Sequence, residues 1–175
     1  MKKRSLQELH RLNTEDFLHK EKIPILFCAD HIRSGHNIGA LFRIADAFAM
    51  EGILLSTYCV KPPHPEIEKT ALGATQTVSW QHLENLIDEL KEYQQKGYKL
   101  VGIEQTDQSK SLAEFDVDKN QKYILILGHE INGISQDVLN IIDYSIEIPQ
   151  FGTKHSLNVS VAAGIVAWHF VRGRL

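Results

Sequence analysis

Ile148-Pro149-Gln150-Phe151-Gly152-Thr153-Lys154-His155-Ser156-Leu157-Asn158-Val159-Ser160-Val161-Ala162 packs a strand end, a glycine loop and a helix start into one short stretch. The apolar run Ser145–Ile148 reads as a strand that stops at Pro149. Ser156 and Asn158 both suit the N-cap of the helix that follows, because their side-chain oxygens accept from early helical N–H groups. That helix, from Asn158 to about Val171, is apolar on every side. A surface helix shows one apolar stripe, so this one is expected to be buried against a sheet, a partner subunit, or both.

Working back toward the N-terminus, the same strand–loop–helix grammar recurs. Gln136–Ile141 reads as a short helix and Tyr123–Leu127 as a strand, joined by Gly128-His129-Glu130-Ile131-Asn132-Gly133. This G-x-E-x-x-G lacks the central glycine of a dinucleotide fingerprint, and alone it reads as a sharp turn. Lys99–Glu104 is a further strand. Leu83, Leu86, Ile87 and Leu90 mark a helix that Gly97 terminates. Gly52–Tyr58 is a strand, and the prolines of Lys61–Pro65 indicate a loop. Ile38, Leu41, Phe42, Ala45 and Phe48 repeat at helical spacing, with Asn37 placed to cap. The loop Asp30–His36 precedes them and the strand Pro24–Ala29 precedes that. Ser5 and Glu8 form a capping box before Leu6, Leu9 and Leu12, which suggest a short amphipathic helix.

Strands alternating with helices predict an α/β fold with a mainly parallel sheet and helices on both faces. Residues 1–22 form a short helical segment, and 23–175 form the main domain. In such sheets ligands bind where loops leave the carboxyl ends of strands. Three loops qualify: Asp30–Asn37, Gly128–Ser135 and Pro149–Leu157. In the first, His36, Asn37 and Arg43 flank a helix N-terminus, a natural position for an anion such as phosphate. The same residues are equally consistent with an ordinary cap and a surface arginine.

At 175 residues the chain is long enough for one well-buried core. Cys28 and Cys59 lie in apolar runs without C-x-x-C spacing, which points to free thiols in a reducing cytoplasm. No apolar run is long enough for a membrane span, and no apolar signal core follows Lys2-Lys3-Arg4. The nine histidines show no metal-ligand spacing, so no metal is expected. A net charge of −3 runs against nucleic-acid binding, yet basic residues concentrate in the first quarter and acidic ones between Glu84 and Asp118.

Taken together, N-x-G-x-x-x-R (Asn37–Arg43), G-x-E-x-x-G (Gly128–Gly133) and I-P-x-x-G…S-L-N-V-S-V-A (Ile148–Ala162) resemble the SpoU/TrmH branch of the SPOUT methyltransferases. The likeness runs from about Ile23 to Val171. Gln150 departs from it, since many relatives carry Met after the proline.

This resemblance implies a C-terminal trefoil knot from about Tyr123 onward, an exception to the rule against threading. It implies a homodimer with the last helix in the interface, and S-adenosyl-L-methionine (AdoMet) held mainly by backbone groups. By position those groups belong to Gly128, Ile148 and Leu157, with Glu104 as a further candidate. The implied reaction is methyl transfer to a ribose 2′-hydroxyl of tRNA or rRNA. Arg43 would stabilise the developing alkoxide; a guanidinium is a poor base, with a pKa above about 12. A role as literal base requires a strongly perturbing site. Asn37 and Glu130 would orient Arg43, while Ser156 and Asn158 shape the reacting site. His31, Arg33 and His36 are candidates for RNA phosphate contacts. Two rivals remain, a non-catalytic RNA-binding factor and a base-nitrogen methyltransferase. With only a short segment ahead of it and nothing after the last helix, the chain is expected to be a minimal catalytic domain, tRNA and rRNA both remaining open.

Overall fold

The computed structural model describes residues 1–5 and 7–174. The contribution expected of Leu6 lies outside the described residues. The capping box forms: the Ser5 N–H donates to Glu8 Oε2 at 2.6 Å. It opens only a single 3-10 turn, Gln7–Leu9, because His10 enters the left-handed region at φ 48°. Leu12 is exposed, so the expected amphipathic helix is not made. A separate helix α1 (Thr14–His19) follows, capped by Asn13, whose Oδ1 accepts from the Asp16 N–H at 2.8 Å.

The chain then forms β1 (Ile23–Ala29), α2 (Gly35–Ala47) and β2 (Met50–Ser56). Next come α3 (Pro65–Ala71), β3 (Trp80–Leu83), α4 (Leu86–Gln95) and β4 (Tyr98–Ile103). The chain continues with β5 (Lys110–Ser111), β6 (Lys122–Leu127), α5 (Gln136–Leu139), β7 (Tyr144–Glu147) and α6 (Val159–Val171). The strands form one seven-stranded sheet in the order β3-β2-β1-β6-β4-β7-β5, and every pairing is parallel.

Parallel sheets covered on both faces need strands that are apolar throughout, and β1 and β6 meet that demand. Ile25, Phe27 and Ala29 face the side covered by α2, α3 and α6. Leu26 and Cys28 face the side covered by α4 and α5. Phe27 lies beside Ile53 of β2 and Leu125 of β6, which fixes the centre of the sheet.

Three elements differ from the sequence reading. Pro65 does not end a loop but starts α3, at the first helical position, where a missing N–H costs nothing. Leu83 belongs to β3 rather than to the helix after it, and Asn85 caps that helix instead. Lys110–Ser111, within a polar stretch, pairs at the sheet edge with β7. Gly97 ends α4 in the expected manner, at φ 88°.

Candidate active site

A cavity of about 350 Å³ opens at the carboxyl ends of β4, β6 and β7. Glu104, Gly128, Glu130, Ile148, Ser156, Leu157 and Asn158, all singled out in the sequence, line it. The second motif loop is closed by a pair of hydrogen bonds between His129 and Gly133, each 2.9 Å. Gly133 makes the turn at φ 68°. Gly128 approaches so closely that an added Cβ would lie 2.1 Å from the Gly133 carbonyl carbon and 2.2 Å from the Ile134 nitrogen. Glu104 then locks the loop from below, its Oε2 accepting from the Ile134 N–H at 3.0 Å. Across the rim, the Gln105 side-chain amide donates to the His155 carbonyl at 2.9 Å and ties down the third loop.

The polar centre is a chain of side chains drawn from all three motifs. Glu130 Oε1 accepts from Asn37 Nδ2 at 3.0 Å and from the Ser34 N–H at 3.2 Å. Asn37 Oδ1 in turn accepts from Asn158 Nδ2 at 3.3 Å. Asn158 uses its own Oδ1 to cap α6, accepting from the Ser160 N–H at 2.9 Å. Asn37 is therefore not the cap of α2. Ser34 has that role, its hydroxyl accepting from the Asn37 N–H, which frees the Asn37 amide to bridge the loops. The anion at this helix N-terminus is the carboxylate of Glu130 itself.

Burial pushes the Glu130 carboxyl toward its neutral form. The Asn37 amide, its own N–H and those of Ser34 and Arg33 outweigh that effect and hold it below the ordinary value of 4.5. A carboxyl with a lowered native pKa contributes stability that is complete above its unfolded value and is lost as the pH falls through the native one. The urea midpoint of the wild type is thus expected to fall more steeply than that of Glu130→Gln below pH 4.5. Between about pH 5 and 7 the two midpoints should run parallel, since the carboxylate is ionised throughout.

Arg43 is not brought into this cavity. It lies exposed on α2, in a separate depression with Thr14, Asp46, Leu72 and Gly73, and among the described residues Glu130 bonds Asn37 rather than Arg43. Arg33 and His36 are exposed at the start of α2, and His36 Nδ1 bonds the Thr70 hydroxyl at 3.0 Å. His31 stands farther along the same edge, beyond the end of β1.

Besides Ser34 and Gln105, two contributors escaped the sequence reading. Asp30 is fully buried and its Oδ2 accepts from the Ser135 N–H at 2.8 Å, joining the first motif loop to the end of the second. His129 Nδ1 accepts from the N–H groups of Ile131 and Asn132 and shapes the loop between the glycines. Asp30 carried one signal, a carboxylate directly after an apolar strand; His129 carried none beyond its place in the motif. Among the described residues no cluster of side chains has metal-holding geometry, and no helix is long and apolar enough to cross a membrane.

Comparison with known proteins bears on the family and the fold. The sequence pattern of the SpoU rRNA Methylase family matches residues 24–168. The tRNA (guanosine(18)-2′-O)-methyltransferase of Aquifex aeolicus (strain VF5) is 30% identical over 165 residues, 91% of this chain and 74% of that protein. The 23S rRNA (guanosine-2′-O-)-methyltransferase RlmB of Vibrio vulnificus (strain CMCP6) is 30% identical over 169 residues, 97% of this chain and 67% of that one. Among solved structures, the A. aeolicus TrmH/SpoU tRNA modifying enzyme superposes with a TM-score of 0.80 at 28% identity, covering 92% of this chain and 80% of that chain. The AdoMet bound rRNA methyltransferase from Sinorhizobium meliloti shares the fold, with a TM-score of 0.81 at 22% identity. The match takes in 91% of this chain but only 60% of that longer one.

Proposed function

Because the chain belongs to the SpoU rRNA methylase family, we propose that it transfers the methyl group of AdoMet to a ribose 2′-hydroxyl of tRNA or rRNA. The observation that carries this reading is the Glu130–Asn37–Asn158 chain, which gathers all three motifs beside one cavity.

The residues present fit the cofactor. A cavity of about 350 Å³ lies within the range of roughly 300–1,000 Å³ that small ligands occupy. The close approach at Gly128 presents main chain rather than a side chain to it. Gly128, Ile148 and Leu157 would hold AdoMet through backbone groups, with Glu104 keeping the loop in place. When bound, AdoMet supplies an electrophilic methyl group on a sulfonium. The protein must then orient the ribose oxygen in line with it and stabilise the charge that develops as the hydroxyl proton leaves. Ser156 and Asn158 shape the place where that oxygen arrives. Arg43 supplies the stabilising charge, with an RNA phosphate assisting proton removal.

Arg43 lies outside the cavity of its own chain, and a homodimer resolves this. On α6 the side chains of Val161, Ile165 and Trp168 are 50%, 40% and 50% exposed, an apolar stripe that a second copy would bury. Ile44, next to Arg43 on α2, packs beside Gly164 of α6. A copy joined through this stripe would lie beside α2, and in this reading Arg43 reaches from there to complete the partner's site. Trp168→Glu is expected to yield a monomer by sedimentation that has lost transfer but still binds AdoMet. A dimeric, active Trp168→Glu variant would contradict the α6 interface.

The strand order, with β6 between β1 and β4 and β7 beyond β4, supports the trefoil knot expected from Tyr123 onward. The buried free thiols of Cys28 and Cys59 support a cytoplasmic setting. The start of the sheet at Ile23 supports the expected division into a short N-terminal segment, 1–22, and a methyltransferase domain, 23–175. The relatives are named for tRNA and for rRNA in turn, so both substrates stand. The test is transfer from methyl-tritiated AdoMet into unfractionated tRNA and rRNA, followed by digestion to nucleosides. Label in a 2′-O-methyl nucleoside supports the proposal; label on a base nitrogen, or on neither RNA, refutes it.

A further inference from the structure

The first motif loop and the loop after β2 together form an aromatic pair, His31 and Tyr58, that the methyl-transfer chemistry does not use. His31 directly follows the buried Asp30, and its ring Nδ1 pairs with Asp30 Oδ1. This contact anchors the ring to a fully buried side chain. The backbone of His31 sits in the left-handed region at φ 62°, which a side chain with a Cβ occupies at a cost. Its N–H donates to the Ser56 hydroxyl at 2.9 Å, and this bond with the Asp30 contact holds it there. Thus fixed, the imidazole stacks on Tyr58, with ring centroids 4.6 Å apart and planes 17° from parallel. Tyr58 nonetheless remains 67% exposed, and no hydrogen bond engages its hydroxyl among the described residues.

The position of the pair matters as much as its order. Ala29 of β1 lies beside Leu127 of β6, so the loop holding His31 leaves the sheet next to the loop that walls the cavity. Asp30 physically joins the two through Ser135. Arg33 and Lys61 are exposed in the two loops that carry His31 and Tyr58. A pre-ordered aromatic face beside cationic side chains matches single-stranded RNA, whose unpaired bases stack on aromatic rings while basic groups meet the phosphates. The same charges are less suited to an apolar protein surface.

We propose that the His31–Tyr58 stack is a platform for an unpaired RNA base flanking the reacting ribose. The inference rests on the methyltransferase reading and adds to it a residue pair that holds RNA in register without touching the cofactor. Stacking needs a flat ring, not a hydroxyl, so the substitutions separate cleanly. Binding of labelled oligoadenylate by fluorescence anisotropy should weaken roughly 5- to 100-fold in Tyr58→Ala and Tyr58→Leu. It should persist in Tyr58→Phe. The KM for tRNA or rRNA should rise by a similar factor, while kcat and AdoMet affinity stay unchanged. The slope of log affinity against log salt should stay at its wild-type value, because no phosphate contact is lost. Arg33→Ala, by contrast, should reduce that slope.

Wild-type oligoadenylate affinity and RNA KM in Tyr58→Ala would overturn the platform. So would an equal loss in Tyr58→Phe, which would assign the effect to the hydroxyl. Melting curves guard against misfolding, and Tyr58→Leu retains apolar cover over His31. Absence of transfer by the wild type would refute the methyltransferase reading, while the oligoadenylate series would still decide the platform.

Discussion

Arg43→Ala is expected to lower kcat by about 100- to 1,000-fold, the usual loss when one group stabilising transition-state charge is removed. AdoMet affinity should not change, because Arg43 stands outside the cavity that Gly128, Ile148 and Leu157 line. Arg43→Lys keeps the charge but not the planar fork, and should recover only part of the rate. Single-turnover transfer and calorimetric titration of AdoMet separate the two effects. The placement of Arg43 away from its own cavity gives a second readout. Subunits carrying Arg43→Ala, mixed and refolded with subunits carrying a cavity substitution, should regain activity, since each mixed dimer contains one site with both parts intact. Two inactive parents yielding an inactive mixture would place Arg43 and the cavity within one subunit. An Arg43→Ala enzyme of wild-type rate would remove the guanidinium from the mechanism.

Gly128→Ala should abolish AdoMet binding. The new Cβ meets backbone on the facing side of the loop, at 2.1 and 2.2 Å, and backbone cannot step aside as a flexible side chain can. Relief requires opening the His129–Gly133 hydrogen-bond pair, which also releases the Ile134 N–H from Glu104. A cost of about 3 kcal/mol is in keeping with such strain, and for a chain of this size it lowers Tm by roughly 6–12 °C. Calorimetry and thermal melting measure the two consequences. A Gly128→Ala protein that binds AdoMet with wild-type affinity would mean that this loop does not form the cofactor wall.

The sheet was readable because its central strands are buried on both faces and therefore apolar without interruption. Pro24–Ala29 and Tyr123–Leu127 needed no help from tertiary context. The elements that went unread are those whose order comes from elsewhere. Lys110–Ser111 becomes a strand only by pairing with β7, and Trp80–Leu83 only by lying along β2. At the site, motif spacing picked out the residues that line the cavity, because strand ends and glycines dictate where loops emerge. It did not say which side chain caps which helix. Ser34 and Asn37 are both good N-caps by type, and the presence of Glu130 across the loop decides that Asn37 turns inward. Nor did spacing place Arg43. Its place in the motif set it on α2 near the helix start, but did not say on which side of the helix it would fall. Asp30 and the His31–Tyr58 stack depend on contacts between loops far apart in sequence, which no local pattern records.

The claim on which the rest depends is that the cavity under the loops 128–134 and 148–158 is the methyl-donor site. A crystal structure of the protein with S-adenosylhomocysteine, the product form of the cofactor, tests it most directly. The ligand is expected in that cavity, against the main chain of Gly128, Ile148 and Leu157, in every subunit of a dimer joined through α6. Ligand bound elsewhere on the surface, or crystals that leave this cavity empty at concentrations where calorimetry shows saturation, would contradict it.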